Sequence, residues 1–258
     1  MAELTFPATP PGEVAGRPKL VVRYRTDPEA VAALLPPGLD PVGEPVVTVG
    51  FYCVPVHGEP EHGVSVRIPA SYDGIAGQYS LGIGIDQESA IFVSQERNGQ
   101  PKFPCTVRFF QLGDVVEASA THQGHTFAAL RGTIGGPTGS DGEAFDDSEW
   151  WIKQSRAVGG ARSWDLPPRV VRVRMVGEVA AAHEVDGQLV LRPSPWDPIA
   201  TLLPLREQLS AELVANRVAS REISVAGPLD PDAFWPFADT IGGSRWPGSD
   251  GGPRAATA

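Results

Sequence analysis

Val171-Arg172-Val173-Arg174-Met175 alternates apolar and cationic side chains at every residue, the period of a strand with one dry and one wet face. The surrounding chain repeats the signal. Runs rich in Val, Ile and aromatics occupy residues 20–25, 45–56, 64–69, 78–85, 89–94, 105–112, 115–120, 125–133, 170–179 and 189–193, separated by Gly, Asp or Pro. Asp186-Gly187, within residues 183–190, is a hairpin signal. The 29 glycines and 26 prolines among 258 residues exclude a helical bundle. Short helices are expected at 27–35, where Asp27 can cap and Pro28 suits the first helical position, and at 198–205 and 231–237. The expected fold is mainly β, a β-rich α+β chain whose curved, largely antiparallel sheet closes into a barrel or packs as a sandwich. A single domain is expected over 17–241, between an extended segment at 1–16 and a flexible tail at 242–258, both rich in Gly and Pro.

Charge narrows the partners. Twenty-one basic against 31 acidic residues give a net charge of −10, which repels phosphate backbones, so nucleic acid is not an expected partner. No run approaches the ~20 apolar residues that span a bilayer, and the start lacks a basic, apolar leader. A cytoplasmic protein without membrane association is expected. Cys53 and Cys105 are too few for a disulfide framework, though one bridge stays open.

The common site motifs are weak. Gly82-Ile83-Gly84 lacks the third glycine and the following helix of a dinucleotide loop, and reads as a strand with close packing. His57 and His62 are five apart with Pro60 between them, which argues against one metal-binding helix face; His122 and His125 flank a turn and read as surface. No metal site and no cofactor is expected.

The lysines are more informative, because only Lys19, Lys102 and Lys153 are lysine among the 21 basic residues. Arginine cannot be deprotonated and so cannot serve as an amine nucleophile. Lys102 follows a Gly/Pro turn, enters an apolar strand, and has Pro101, Phe103 and Pro104 around it, a setting where desolvation acts. Lys19 opens a strand and Lys153 follows Trp150-Trp151-Ile152; both read as bland.

Several stretches in order resemble the acetoacetate decarboxylase family. Tyr24-Arg25-Thr26-Asp27 with the helix after it, Ile68-Pro69, Gly74-x-x-Gly77-x-Tyr79, Asp86-x-x-Ser89-Ala90 and Glu96 to Lys102 match its segments in sequence and spacing. The resemblance implies a curved β barrel or cone, a homo-oligomer, and a cofactor-independent carbon–carbon lyase whose Lys102 forms a Schiff base with a keto acid. An amine with a pKa of about 10.4 needs lowering by roughly three units to be nucleophilic at neutral pH. In the family a neighbouring cation does this, acetoacetate decarboxylase itself being the known example.

Departures from the family pattern shape the expected site. The family's second lysine is Phe103, so desolvation or a nearby arginine such as Arg97 or Arg108 would have to act instead. Its two acidic positions fall on Gly50 and Gly63, with Glu61 two residues from the latter; its arginine falls on Arg17, and Glu96 is retained. These changes imply a roomier, less acidic pocket. Lys102 is then the nucleophile, Glu96 or Glu61 the acid/base or orienting group, and Arg17 the carboxylate anchor, with Phe103, Gly50 and Gly63 shaping the substrate space. The expected reaction is decarboxylation of a β-keto acid larger than acetoacetate. Aldol or dehydration chemistry on the same imine, and a catalytically silent binding member, remain as alternatives. Phe234-Trp235-Pro236-Phe237 reads as a buried terminal helix or a lid.

Overall fold

The computed structural model describes residues 18–56, 58–159 and 162–238. Arg17, the segment expected at 1–16 and the tail expected at 242–258 lie outside them. In chain order, β1 (Lys19–Arg25) and α1 (Pro28–Leu34) precede β2 (Val46–Val56), β3 (Glu59–Tyr72) and β4 (Ile75–Ile85). Next come α2 (Glu88–Asn98), β5 (Lys102–Pro104), β6 (Thr106–Leu112), β7 (Val115–His122) and β8 (His125–Pro137). The chain continues through β9 (Ala144–Arg156), β10 (Trp164–Gly187), β11 (Val190–Leu191), α3 (Ile199–Leu202), β12 (Glu207–Pro228) and α4 (Trp235–Ala238).

β12 pairs with both β1 and β10, so the order β12-β1-β2-β3-β4-β9-β10 closes on itself, and β8, β7 and β6 continue the sheet from β10. Strand alternation then divides the side chains. Leu20, Val22 and Tyr24 of β1, with Phe51 and Ile68 on β2 and β3, face the main core, which they share with α1 and with Ala118 and Phe127 of the outer sheet. Their neighbours Lys19, Val21, Arg23, Thr48 and Arg67 face a chamber of about 950 Å³ to which all strands of the closed ring contribute. The chamber is therefore the barrel lumen, and it is polar where the outer core is not.

Several local expectations give way to tertiary demands. Residues 89–94, expected as a strand, lie in α2. β4 and β5 run parallel, and parallel neighbours need a crossover, which α2 supplies. Gly99 ends the helix in the left-handed region at φ 66°, its N–H bonding the Gln95 and Ser94 carbonyls. Asp186-Gly187 makes no hairpin: Gly187 pairs with Gly132 of β8, and β11 also pairs with β8. β9 and the 22-residue β12 had no counterpart among the expected strands. The helices at 198–205 and 231–237 shrink to α3 and α4. Phe234 is buried and stacks near Phe237, as a terminal helix would place it.

Gly77 shows why glycine stands at the seam where β4 meets β9. A Cβ there would lie 2.4 Å from the Ser148 carbonyl oxygen and 2.7 Å from Trp150 Nε1, and the first contact is backbone that cannot swing away. Gly77→Ala is expected to destabilise the fold by about 1–3 kcal/mol, lowering the melting temperature by roughly 3–10 °C. Gly136→Ala, with no atom within 4 Å of its Cβ, is the calorimetric control and stays within about 1 kcal/mol.

Candidate active site

Lys102 is held by its backbone before its amine does anything. It pairs with Ile83 at the start of β5, its N–H donates to the Gln100 carbonyl at 2.7 Å, and its own carbonyl accepts from Gln95 Nε2 at 2.5 Å. Gln95 thus fastens the strand to α2. The side chain turns to the lumen-facing side of the sheet, where its Nζ donates to Glu61 Oε2 at 2.9 Å. Both groups are buried, at 7% and 2% exposure. Tyr52 Oη donates to the other carboxylate oxygen, Oε1, at 3.3 Å. Burial, and then the charge and hydrogen bond of Glu61, push the Tyr52 phenol well above its ordinary range, so it remains a neutral donor. Val54, Val56, Ile83, Ile85 and Ile91 complete an apolar wall. In such a setting a carboxylate and an amine interact with little screening.

Strand register explains how Glu61 reaches this position. Glu61, Gly63, Ser65 and Arg67 share one face of β3, opposite Val54, Tyr52, Gly50 and Thr48 of β2. Glu61 therefore lies one same-face step from Gly63. A Cβ on Gly63 would stand 2.1 Å from Tyr52 Cζ, so the missing side chain is what admits the tyrosine ring. A Cβ on Gly50 would be 3.0 Å from Ser65 Oγ. The expected vacancy is not at Gly63, which Tyr52 fills, and the neighbourhood is not stripped of acid, because Glu61 supplies it. Space lies instead in the lumen.

The other expected site residues are dispersed. Phe103, next in the strand, points the opposite way and packs in the main core, its ring 4.9 Å from that of His122; alternation makes this unavoidable. Glu96 and Arg97 are exposed on α2 and Arg108 is exposed on β6. Arg17 lies outside the described residues. His57 is likewise outside them, while His62 Nδ1 lies 3.0 Å from Asp86 Oδ2. His122 is buried rather than superficial, its Nδ1 2.5 Å from Asp197 Oδ2, whereas His125 is exposed. No disulfide joins Cys53 and Cys105. Lys153 Nζ donates to the Arg97 carbonyl at 2.9 Å, satisfying an open acceptor at the end of α2.

Lys19, bland in the sequence, is the residue most changed by folding. It lines the lumen directly across from Tyr52, one strand over. Burial, then the positive charge of Arg67, bring its pKa from 10.5 down to about 8, against the opposing pull of Glu149. Glu149 is itself engaged, accepting from Ser80 Oγ at 2.5 Å and Trp151 Nε1 at 2.6 Å. Because the folded state binds this proton less tightly, the cost to stability is full below about pH 8 and fades as pH rises toward 10.5. Lys19→Met is expected to raise stability by about 1–3 kcal/mol at pH 7, allowing for chamber water, and the gain shrinks by pH 10. Urea unfolding at the two pH values measures it.

The family model described as acetoacetate decarboxylase (ADC) matches residues 3–227. An acetoacetate decarboxylase of Chromobacterium violaceum is 36% identical over 225 residues, covering 81% of this chain and 86% of the relative. Among solved structures, the acetoacetate decarboxylase of Legionella pneumophila superposes with a TM-score of 0.69 at 20% identity, covering 85% of this chain and 94% of that one. The enduracididine biosynthesis enzyme MppR, complexed with the condensation product of pyruvate and imidazole 4-carboxaldehyde, superposes at 0.63 with 15% identity, over 85% and 95% of the two chains.

Proposed function

Since the chain belongs to the acetoacetate decarboxylase family, we propose that it is a cofactor-independent lyase that forms a Schiff base between Lys102 and a keto acid. The observation that supports this most is the buried Lys102–Glu61 pair at 2.9 Å. As the amine adds to the ketone, Glu61 is placed to take the ammonium proton and return it to the departing oxygen, which leaves as water. The protonated imine then draws electrons from the adjacent carbon, and loss of CO2 leaves an enamine. Tyr52 orients Glu61 through its hydrogen bond. A β-keto acid larger than acetoacetate is the substrate carried in this reading, on the glycine that stands at the family's acidic position 50. Arg17 is carried in this reading as the carboxylate anchor, on its match to the family's arginine.

A second reading rests on the same carboxylate. A base beside the imine nitrogen can remove an α-proton and form the enamine without losing CO2, which leads to aldol addition or dehydration; a condensation product is what the MppR structure holds. Incubation with a panel of β-keto acids and with pyruvate plus an aldehyde, followed by measurement of CO2 and of the coupled product, separates the two reactions. Borohydride trapping with peptide mapping tests both at once. No adduct on Lys102 with any keto acid would overturn this reading.

A further inference from the structure

The lumen is lined by an amine, that of Lys19, whose surroundings differ from those of Lys102. Lys102 is paired to a carboxylate at contact distance, whereas Glu149, the acidic group that acts on Lys19, is already bound by Ser80 and Trp151. Arg67 stands on the same inner surface with Nη1 3.8 Å from Glu149 Oε2, and its Nε is buried without a hydrogen-bond partner. Gln78 Oε1, also on the lumen wall, is a buried acceptor without one. The Arg67 guanidinium lies on the chamber wall with no nearer anionic partner among the described residues than Glu149 at 3.8 Å, which leaves it able to hold a carboxylate.

We propose that Lys19 is a second imine-forming residue, which condenses with the carbonyl of a carboxylate-bearing ligand in the barrel lumen while Arg67 holds the carboxylate. The proposal draws on the keto-acid reading above but assigns it a nucleophile other than Lys102, the residue matched to the family's lysine. The neutral amine forms the N–C bond. One of its protons passes to the carbonyl oxygen, a second comes from solvent, and water leaves as the C=N bond closes. The nitrogen keeps one proton, so the product is the protonated imine. No oxidant or reductant enters.

Three charged groups act on Lys19: Arg67 and Arg221 push its proton off and Glu149 retains it. With the pKa near 8, about one amine in ten is neutral at pH 7, against about one in three thousand for an unperturbed lysine. Arg67 thereby has two effects that point the same way, favouring the neutral amine and attracting the acid that reacts with it.

Cyanoborohydride trapping with pyruvate, mapped by mass spectrometry on folded protein, tests this with Lys153 as the internal control. Lys19 is expected to be labelled at least ten times faster than Lys153 at pH 7, with its rate rising to a plateau above pH 8, and to be labelled equally in Lys102→Arg. Arg67→Gln is expected to slow labelling by pyruvate more than labelling by acetone, which has no carboxylate. Lys19 labelled no faster than Lys153 would overturn the proposal, and equal slowing with both ketones would remove Arg67 from it. The map also separates the two claims. An adduct on Lys102 alone leaves the proposed function standing without this inference; an adduct on Lys19 alone does the reverse.

Discussion

Lys102→Arg is expected to reduce turnover by ~10⁴-fold or more and to eliminate the borohydride adduct on its peptide, with little change in stability. Arginine keeps a positive charge beside Glu61 and can satisfy both carboxylate oxygens, but it has no accessible neutral form with which to attack a carbonyl. A steady-state assay, the peptide map and a melting curve together check the claim. Lys102→Met provides the contrast. It leaves the Glu61 carboxylate at 2% exposure without its counter-ion, and breaking a buried pair from one side costs about 3–5 kcal/mol. Lys102→Met combined with Glu61→Leu removes both charges and is expected to recover most of that stability. Turnover of Lys102→Arg within tenfold of wild type would remove Lys102 from the chemistry. If that residual activity then vanished in Lys19→Arg, the reacting amine would be the one in the lumen.

What was readable in the sequence divides along the range of the interactions. The alternation at Val171–Met175, Pro28 in the first turn of α1 and the apolar strand after Lys102 are local, and the structure keeps them; Asp27 takes the N-cap position without a side-chain cap bond, its carboxylate accepting from Arg206 instead. β12 was not readable, because it satisfies its long ladders with β1 and β10 while burying few large side chains, so its sequence shows no strong apolar rhythm. β9 was obscured by Asp146, Asp147 and Glu149, which look like a solvated acidic turn; Asp147 and Glu149 in fact face the lumen, and Asp146, on the other face, pairs with Arg174. The same distance effect governs the site. Lys102 announced itself through the prolines and phenylalanine around it, whereas its contact with Glu61 depends on the pairing of β2, β3, β4 and β5. The Tyr52 ring belongs at Gly63 only once those registers are set. Lys19 acquires its altered chemistry first from burial in the folded barrel and then from Arg67, 48 positions away along the chain, so nothing beside it in the sequence could mark it. Phe103 erred in the other direction: adjacency to the lysine suggested a pocket wall, and strand alternation sends it into the core.

Glu61→Gln is expected to lower turnover by about 10²- to 10⁴-fold while Lys102 still forms a trappable imine. Glutamine has the size of glutamate and can retain hydrogen bonds to Lys102 and Tyr52, so the geometry is largely kept; what it lacks is a site for the proton. Each later step moves a proton near the imine nitrogen, 2.9 Å from which the carboxylate now sits. The decisive readout is deuterium uptake. With pyruvate in D2O, the wild-type enzyme is expected to exchange methyl protons through the enamine, and Glu61→Gln to lose that exchange in proportion to its turnover. Turnover and exchange both unchanged would reduce Glu61 to a counter-ion. Gly63→Glu would return acid to the family's position, but its side chain would enter the Tyr52 ring, so it is not expected to rescue Glu61→Gln. The two residues on β3 exchange roles as a unit: emptying position 63 admits the phenol that orients the carboxylate of position 61, and moving acid back without removing the ring displaces the very group that holds Glu61 against the amine.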